Sequence, residues 1–219
     1  MRWLTFDCFG TLIDWRHGIG TTGDLLFPGR GQEFLAAYSA LEAEVESEPP
    51  FKRYRDVLAE TTRRAAKKIG AELKPDDATA LASTIPYWPH FADVGPALAE
   101  LRNKGWSLAL LTNCDRDLIA LTRRRLPVPF DAVVTAEDVS AYKPDHKHFR
   151  LFQSTFGSSA DAWIHVAQSY FHDIQPAHEM GITRIWVNRQ DEKDDPSLAD
   201  AVIRGLAELP TAVNGLVPV

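Results

Sequence analysis

MRWLTFDCFGTLIDW, residues 1–15, is the stretch on which the reading of this chain turns. Trp3–Asp7 is a short apolar run that ends at an acid and is punctuated by Gly10 and Thr11. Such runs read as buried parallel strands, apolar on both faces. Similar runs recur at Ser107–Thr112, Ala132–Thr135, Trp163–Ala167 and Arg184–Val187. Helical patterns separate them, at Gly95–Lys104, Arg116–Arg125, His146–Phe156 and Ile174–Met180. Strands alternating with helices predict an α/β fold, a doubly wound parallel sheet with helices on both faces.

The rhythm breaks between the first two strands. Helical stretches are expected around Gln32–Glu46, Phe51–Ile69 and Asp76–Ser83, with no convincing strand. An all-helical block in that place reads as a cap over the carboxyl edge of the sheet, where open α/β sheets bind ligands. The expected organisation is a core of residues 1–13 and 89–219 with a helical cap at 14–88. The tail from Asp191 onward carries no functional signal.

Four places lie at carboxyl ends of the expected strands: Asp7, Thr112-Asn113, Tyr142-Lys143-Pro144 and Asp173. A doubly wound sheet gathers such ends into one crevice. Each also has a plain structural reading. Asp7 could form a turn, Thr112, Asn113 or Asp115 could cap a helix, Lys143 could be a solvated cation, and Asp173 could open a helix. Their order along the chain, more than any one of them, favours a shared site.

FDCFGTLIDW, LLTNCD, YKPDHKHF and HVAQSYFHDIQPAHEMGITRIWVNR together resemble the four motifs of the haloacid dehalogenase superfamily. The resemblance runs from Met1 to about Arg189 and includes a helical cap between the first two motifs. It implies a Rossmann-like hydrolase core with Asp7 as nucleophile, Thr11 and Thr112 supporting its carboxylate or the substrate, Lys143 holding negative charge, and Asp173 as the acid of the fourth motif.

Phe9 decides the subclass. Phosphatases of the superfamily usually carry a second Asp two residues after the nucleophile, because a departing alkoxide must be protonated. Phe9 cannot move a proton. A halide leaves without one and needs only an apolar pocket with a few donors aimed at it. The type II 2-haloacid dehalogenases similarly carry an aromatic residue there, and FPGRG at Phe27–Gly31 resembles their cap entry.

The implied reaction is a dehalogenation of short 2-haloacids. Asp7 attacks the α-carbon, halide leaves, and water oriented by Asp173 opens the aspartyl ester to give a 2-hydroxyacid. Thr112, Asn113 and nearby backbone N–H groups would bind the substrate carboxylate. The alternative is a Mg²⁺-dependent small-molecule phosphatase whose acid has moved, Asp14 being the nearest in sequence. A third reading keeps the fold as an interaction module.

The chain departs from the dehalogenase pattern in several places. The cap arginine that receives halide in that family falls near Ser39, leaving Arg16 and Arg30 as nearby cations. Phe149 stands where a Tyr is expected, and Gln168 and Tyr170 where Ser and Asn are. Tyr170 and His172, beside Asp173, are the expected halide-side donors. No metal is expected, though Asp7, the Phe9 carbonyl and Asp173 could form a hard oxygen site for Mg²⁺, with Asp138 a further outer acid.

Composition bounds the rest. Among 219 residues, 45% are hydrophobic and 25% charged, which suits a globular chain. A net charge of −6 offers nothing to nucleic acid or an anionic membrane, so the expected partner is a small molecule. Cys8 and Cys114 make neither a disulfide framework nor a zinc spacing. With no signal-peptide pattern and no long apolar run, the cytoplasm is the expected location. A homodimer is left open, as are the preferred halogen and enantiomer and the natural substrate.

Overall fold

The computed structural model describes residues 2–157 and 162–217. Strands β1 (Arg2–Phe6), β2 (Trp106–Thr112), β3 (Ala132–Thr135), β4 (Trp163–Ala167), β5 (Thr183–Val187) and β6 (Ala201–Ile203) form one parallel sheet in the order β3-β2-β1-β4-β5-β6. The chain builds outward from β1 to β3 and then returns to lay β4 on the other side of β1. That reversal opens a crevice at the carboxyl ends of β1 and β4, and Asp7 follows the one while Asp173 lies just past the other.

Helices cover both faces, so β1, β2, β4 and β5 are almost wholly buried and alternate between two apolar layers. Leu4, Phe6, Leu110, Ile164 and Val166 enter the larger core, whereas Trp3, Leu111, Trp163, Phe149 and Phe152 form the second. Thr5 and His165 fall on the second face and stand side by side in the β1–β4 register. A threonine and a histidine inside an apolar layer need partners there, and they find them in one another.

Helices α1 (Trp15–Leu26), α2 (Gly31–Ser39), α3 (Glu42–Ser47), α4 (Tyr54–Lys68) and α5 (Ala80–Thr84) occupy the segment between β1 and β2, ahead of α6 (Val94–Asn103). The expected helix at Gln32–Glu46 is broken at Ala40-Leu41 into α2 and α3. The sequence reading missed α1 altogether, because WRHGIGTTGDLL carries three glycines and glycine disfavours helix. The glycines serve close packing. A Cβ on Gly18 would meet the Trp88 ring at 2.3 Å. Asp14 caps this helix through a 3.0 Å bond from the His17 N–H, so the nearest candidate for a displaced phosphatase acid has a structural task.

After β2 come α7 (Arg116–Arg123), α8 (Ala136–Val139), α9 (Lys147–Phe156), α10 (Gln175–Glu179) and α11 (Leu209–Leu216). Asp138 closes a capping box with Thr135 at the start of α8 and pairs with Arg116, which explains it without an ion. The three-residue β6 and α11 lie in the tail, to which the sequence reading assigned no strand or helix. Three residues are too few to show a period.

Asp115 does not cap α7, the helix it precedes. Its fully buried carboxylate accepts the backbone N–H groups of Tyr54 at 2.8 Å and Arg55 at 3.0 Å, the first turn of α4. A carboxylate there satisfies orphan donors and meets the positive end of the helix, and it ties the helical segment to the β2 loop. Asp115→Ala removes an acceptor from two buried donors. The expected loss is about 2 kcal/mol of unfolding free energy in urea titration. An unchanged midpoint would show that the latch contributes nothing.

Candidate active site

Lys143 reaches the crevice from the loop between α8 and α9. Its backbone is gripped by the Asn113 amide, which accepts the Lys143 N–H at 2.7 Å and donates to its carbonyl at 3.2 Å. The side chain is 1% exposed and its ammonium spends three donors, on Asp7 Oδ1 at 3.0 Å, Asp173 Oδ1 at 2.6 Å and the Leu111 carbonyl at 2.9 Å. Asp7 is pinned at its own N–H to the Val166 carbonyl of β4. Its Oδ2 accepts the Thr11 hydroxyl at 2.8 Å, and Thr11 in turn accepts the Gln168 N–H at 2.9 Å. Gly10, between them in sequence, takes φ +103°, a left-handed turn that glycine enters without strain.

Two buried carboxylates thus share one cation. Burial pushes the Asp7 carboxyl above its ordinary range and the Asp173 charge adds to that, with Lys143 and Thr11 pulling against them. Burial opposes ionisation of Asp173 too, but Lys143 and a bond from His165 outweigh it and hold the pKa down at about 2. Lys143 is raised, its two carboxylates overcoming the effect of burial. Asp173 is therefore a fixed anion, and its Oδ2 is buried without a partner among the described residues.

Behind Asp173 stands a chain that sequence reasoning missed. His165 Nε2 lies 3.0 Å from Asp173 Oδ1, and its Nδ1 lies 2.9 Å from Thr5 Oγ1, which accepts the Trp163 indole N–H at 2.8 Å. An ionised carboxylate only accepts, so Nε2 donates to it. The Thr5 hydroxyl is then free to donate to Nδ1. The signal was a histidine within the apolar run WIHVA, since a polar ring in a buried strand needs a partner on each nitrogen.

A cavity of about 390 Å³ opens over Asp7. Phe9, Trp88 and Tyr54 give it aromatic walls, with Phe9 edge-to-face on Trp88 at 5.9 Å. Thr112 lines it with a buried hydroxyl that has no partner among the described residues, and Asn113 lines it beside that hydroxyl. Tyr170 lines it with its ring only, because its hydroxyl donates away to the Asp195 carbonyl at 2.9 Å. That corrects its expected part as a donor to halide. His172 also lines the cavity. Burial lowers its pKa to about 4, so it is neutral near pH 7. Its N–H and Nδ1 engage Ser169 at 3.1 and 3.0 Å, which turns Nε2 toward Glu46, 3.7 Å away.

The cations considered in place of the missing cap arginine fare differently. Arg30 is absorbed by Glu33 and the Ile69 carbonyl and does not reach the cavity. Arg16 lines it but lies over the Trp15 ring. Ser39 lines it too, with its hydroxyl turned back onto the Leu35 carbonyl. For Mg²⁺, Asp7 and Asp173 direct their Oδ1 atoms to one ammonium, so a cation already fills the space between them. Among the described residues no three His, Cys, Asp or Glu side chains cluster as an ion site.

Comparison with known proteins places the chain in a family. Residues 39–187 match the model of the family described as haloacid dehalogenase-like hydrolase. The (S)-2-haloacid dehalogenase of Pseudomonas sp. (strain YL) is 25% identical over 195 residues, covering 86% of this chain and 83% of that one. The phosphoserine phosphatase of Thermus thermophilus is 32% identical over 111 residues, covering 50% of this chain and 45% of that one. In fold, the L-2-haloacid dehalogenase of Xanthobacter autotrophicus, solved with chloropropionic acid covalently bound, superposes with a TM-score of 0.86 at 20% identity, covering 98% of this chain and 99% of that one. The match extends over more than half of the sequence and takes in the segments that carry Asn113, Lys143 and Asp173: this chain belongs to the haloacid dehalogenase-like hydrolases.

Proposed function

We propose that this protein hydrolyses the carbon–halogen bond of short 2-haloacids through an ester on Asp7, without a metal. The observation that carries the reading is a buried carboxylate, oriented by Lys143 and Thr11, under a cavity in which Phe9 stands where a phosphatase keeps its proton carrier. The full-length likeness to dehalogenases supports it, whereas the likeness to a phosphatase covers half of the chain.

In the first step an Asp7 oxygen forms a bond to the α-carbon while the carbon–halogen bond breaks. The halide takes the bonding pair and needs no proton. Thr112, with its unspent hydroxyl, and Asn113 receive the substrate carboxylate. Phe9 and Trp88 keep the wall dry, which favours displacement over solvation of the nucleophile. In the second step a water attacks the carboxyl carbon of Asp7. Asp173 Oδ2, free and anionic, accepts a hydrogen bond from that water, and acyl–oxygen cleavage returns Asp7 with a 2-hydroxyacid and one proton. His165 is a positioning residue, fixing Asp173 without touching substrate. The helices over residues 14–88 act as the cap.

Halide release from chloroacetate, fluoroacetate and each enantiomer of 2-chloropropionate, measured with EDTA present, tests the reading. Release is expected to survive EDTA and to vanish in Asp7→Asn. Turnover of p-nitrophenyl phosphate only when Mg²⁺ is added, with no halide released, would overturn it.

The same assay followed against pH gives a second expectation. Only ionised Asp7 attacks, and its pKa is raised, so kcat/KM should fall on the acid side in a limb lying above the ordinary aspartate value of about 3.9. Thr11→Val removes a bond to the charged form and should move that limb further up. A limb at or below the ordinary value would contradict the burial argument.

His165→Phe keeps the volume and deletes the donor to Asp173. A hydrogen bond to a charged group is worth roughly 1.5–3 kcal/mol, so kcat should fall by about ten-fold or more while KM stays put. A change confined to KM would mean that His165 acts on substrate binding instead.

A further inference from the structure

The cavity over Asp7 is poorly furnished for an anion and well furnished for a cation. Lys143 and Arg16 are the only cations lining it among the described residues. Lys143 has spent all three donors, and Arg16 is exposed at the edge. From α3, Glu42 and Glu46, one helical turn apart, both face the cavity.

Glu42 is held for binding. Its Oε1 accepts the hydroxyls of Tyr38 and Tyr54, each at 2.8 Å, which anchors the carboxylate and leaves Oε2 without a partner among the described residues. Glu46 has no such partners. Its side chain is only 8% exposed, yet it takes no hydrogen bond from any described residue, and His172 Nε2 stands 3.7 Å away, beyond hydrogen-bonding range. Burial pushes both carboxyls upward, and Glu42 adds its charge to the effect on Glu46. A buried, unpartnered acid beside a second acid is a standing cost, relieved when a cation lies between them. The Tyr54 ring, whose hydroxyl meets Glu42, and the Trp88 ring line the same cavity, and aromatic faces suit an alkylammonium.

We infer that the substrate of this pocket carries a protonated amine besides its halogenated carbon, and that Glu46 and Glu42 receive the ammonium while Thr112 and Asn113 receive the carboxylate. This rests on the dehalogenase reading for the reacting end and goes beyond it in naming a zwitterionic class, amino-substituted 2-haloacids. It also accounts for the cap position near Ser39, where an arginine would stand against these acids and repel the amine.

The test uses the full chain, first unaltered and then as Glu46→Gln. Ligand-observed NMR titrations compare n-butylammonium, butanol and butanoate, and halide release compares 4-amino-2-chlorobutanoate with 2-chlorobutanoate. Butylammonium is expected to bind about ten-fold or more tightly than either other probe, and the amino substrate to be preferred to a similar degree, as a desolvated charge pair warrants. In Glu46→Gln, an isosteric change, both preferences should shrink toward one. Butanoate binding as well as butylammonium, or a preference that persists in Glu46→Gln, would overturn the inference. The two readings fail separately. An ammonium preference with no halide released from either acid sinks the dehalogenase and leaves the cation site standing. Equal release from both acids with no ammonium preference does the reverse.

Discussion

One ammonium group, buried among two carboxylates and a backbone carbonyl, holds the crevice together. Lys143 takes its place from the loop after α8, Asp7 from the end of β1, Asp173 from the turn after β4, and the Leu111 carbonyl from β2. Four chain segments therefore converge on a single positive charge. Such an arrangement is a weak source of stability, since taking three charges out of water costs about as much as their attraction returns. What it supplies is geometry. Asn113 fixes the Lys143 backbone from both sides, Thr11 and Lys143 fix the two oxygens of Asp7, and His165 fixes Asp173. With two anions sharing one cation, the site keeps an excess negative charge, and that excess resides on a nucleophile whose burial makes it reluctant to ionise.

The sequence made the sheet and the ends of its strands legible because apolar runs stopped by Gly, Pro or acid leave little choice about what they are. The order Asp7, Thr112, Lys143, Asp173 survived as a spatial cluster for the same reason: a doubly wound sheet brings carboxyl ends together. The misreadings have physical causes. In α1 glycines that disfavour helix in isolation are required for close packing, Gly18 against Trp88 and Gly23 against Phe34, so packing overrode propensity. His165 was counted as part of an apolar run; its place there signals that its nitrogens need partners, but only the fold names them as Thr5 and Asp173. Glu42 and Glu46 sit on a short acidic helix, Glu42–Ser47, that reads as a solvated surface; only the fold turns one side of it inward.

Phe9 and the acids of α3 constrain the chemistry from opposite directions. An aromatic ring beside the nucleophile removes the nearest proton source, which restricts the leaving group to a weak base. His172 does not restore one, since burial keeps it neutral and Ser169 occupies its Nδ1. Glu46 could carry a proton in the empty cavity, but a ligand cation would displace it, leaving again a pocket without an acid. The reacting end and the recognising end thus make compatible demands: halide as leaving group, ammonium as handle.

Tyr54 joins these two ends mechanically. Its backbone N–H is held by Asp115 of the β2 loop, and its hydroxyl holds Glu42. The core thereby sets where α4 begins, and α4 sets where the Glu42 carboxylate points. Thr112 ends β2 and Asn113 follows it, two residues before Asp115, so the carboxylate-binding groups and one of the contacts that orient Glu42 are referenced to the same stretch of backbone. Loosening that latch would leave Asp7, Lys143 and Asp173 in register while letting the α3 wall drift. Recognition would suffer before chemistry, because the nucleophile draws its order from the sheet, whereas the α3 wall draws its own from contacts with neighbouring helices, Tyr38 and Tyr54 on Glu42 among them.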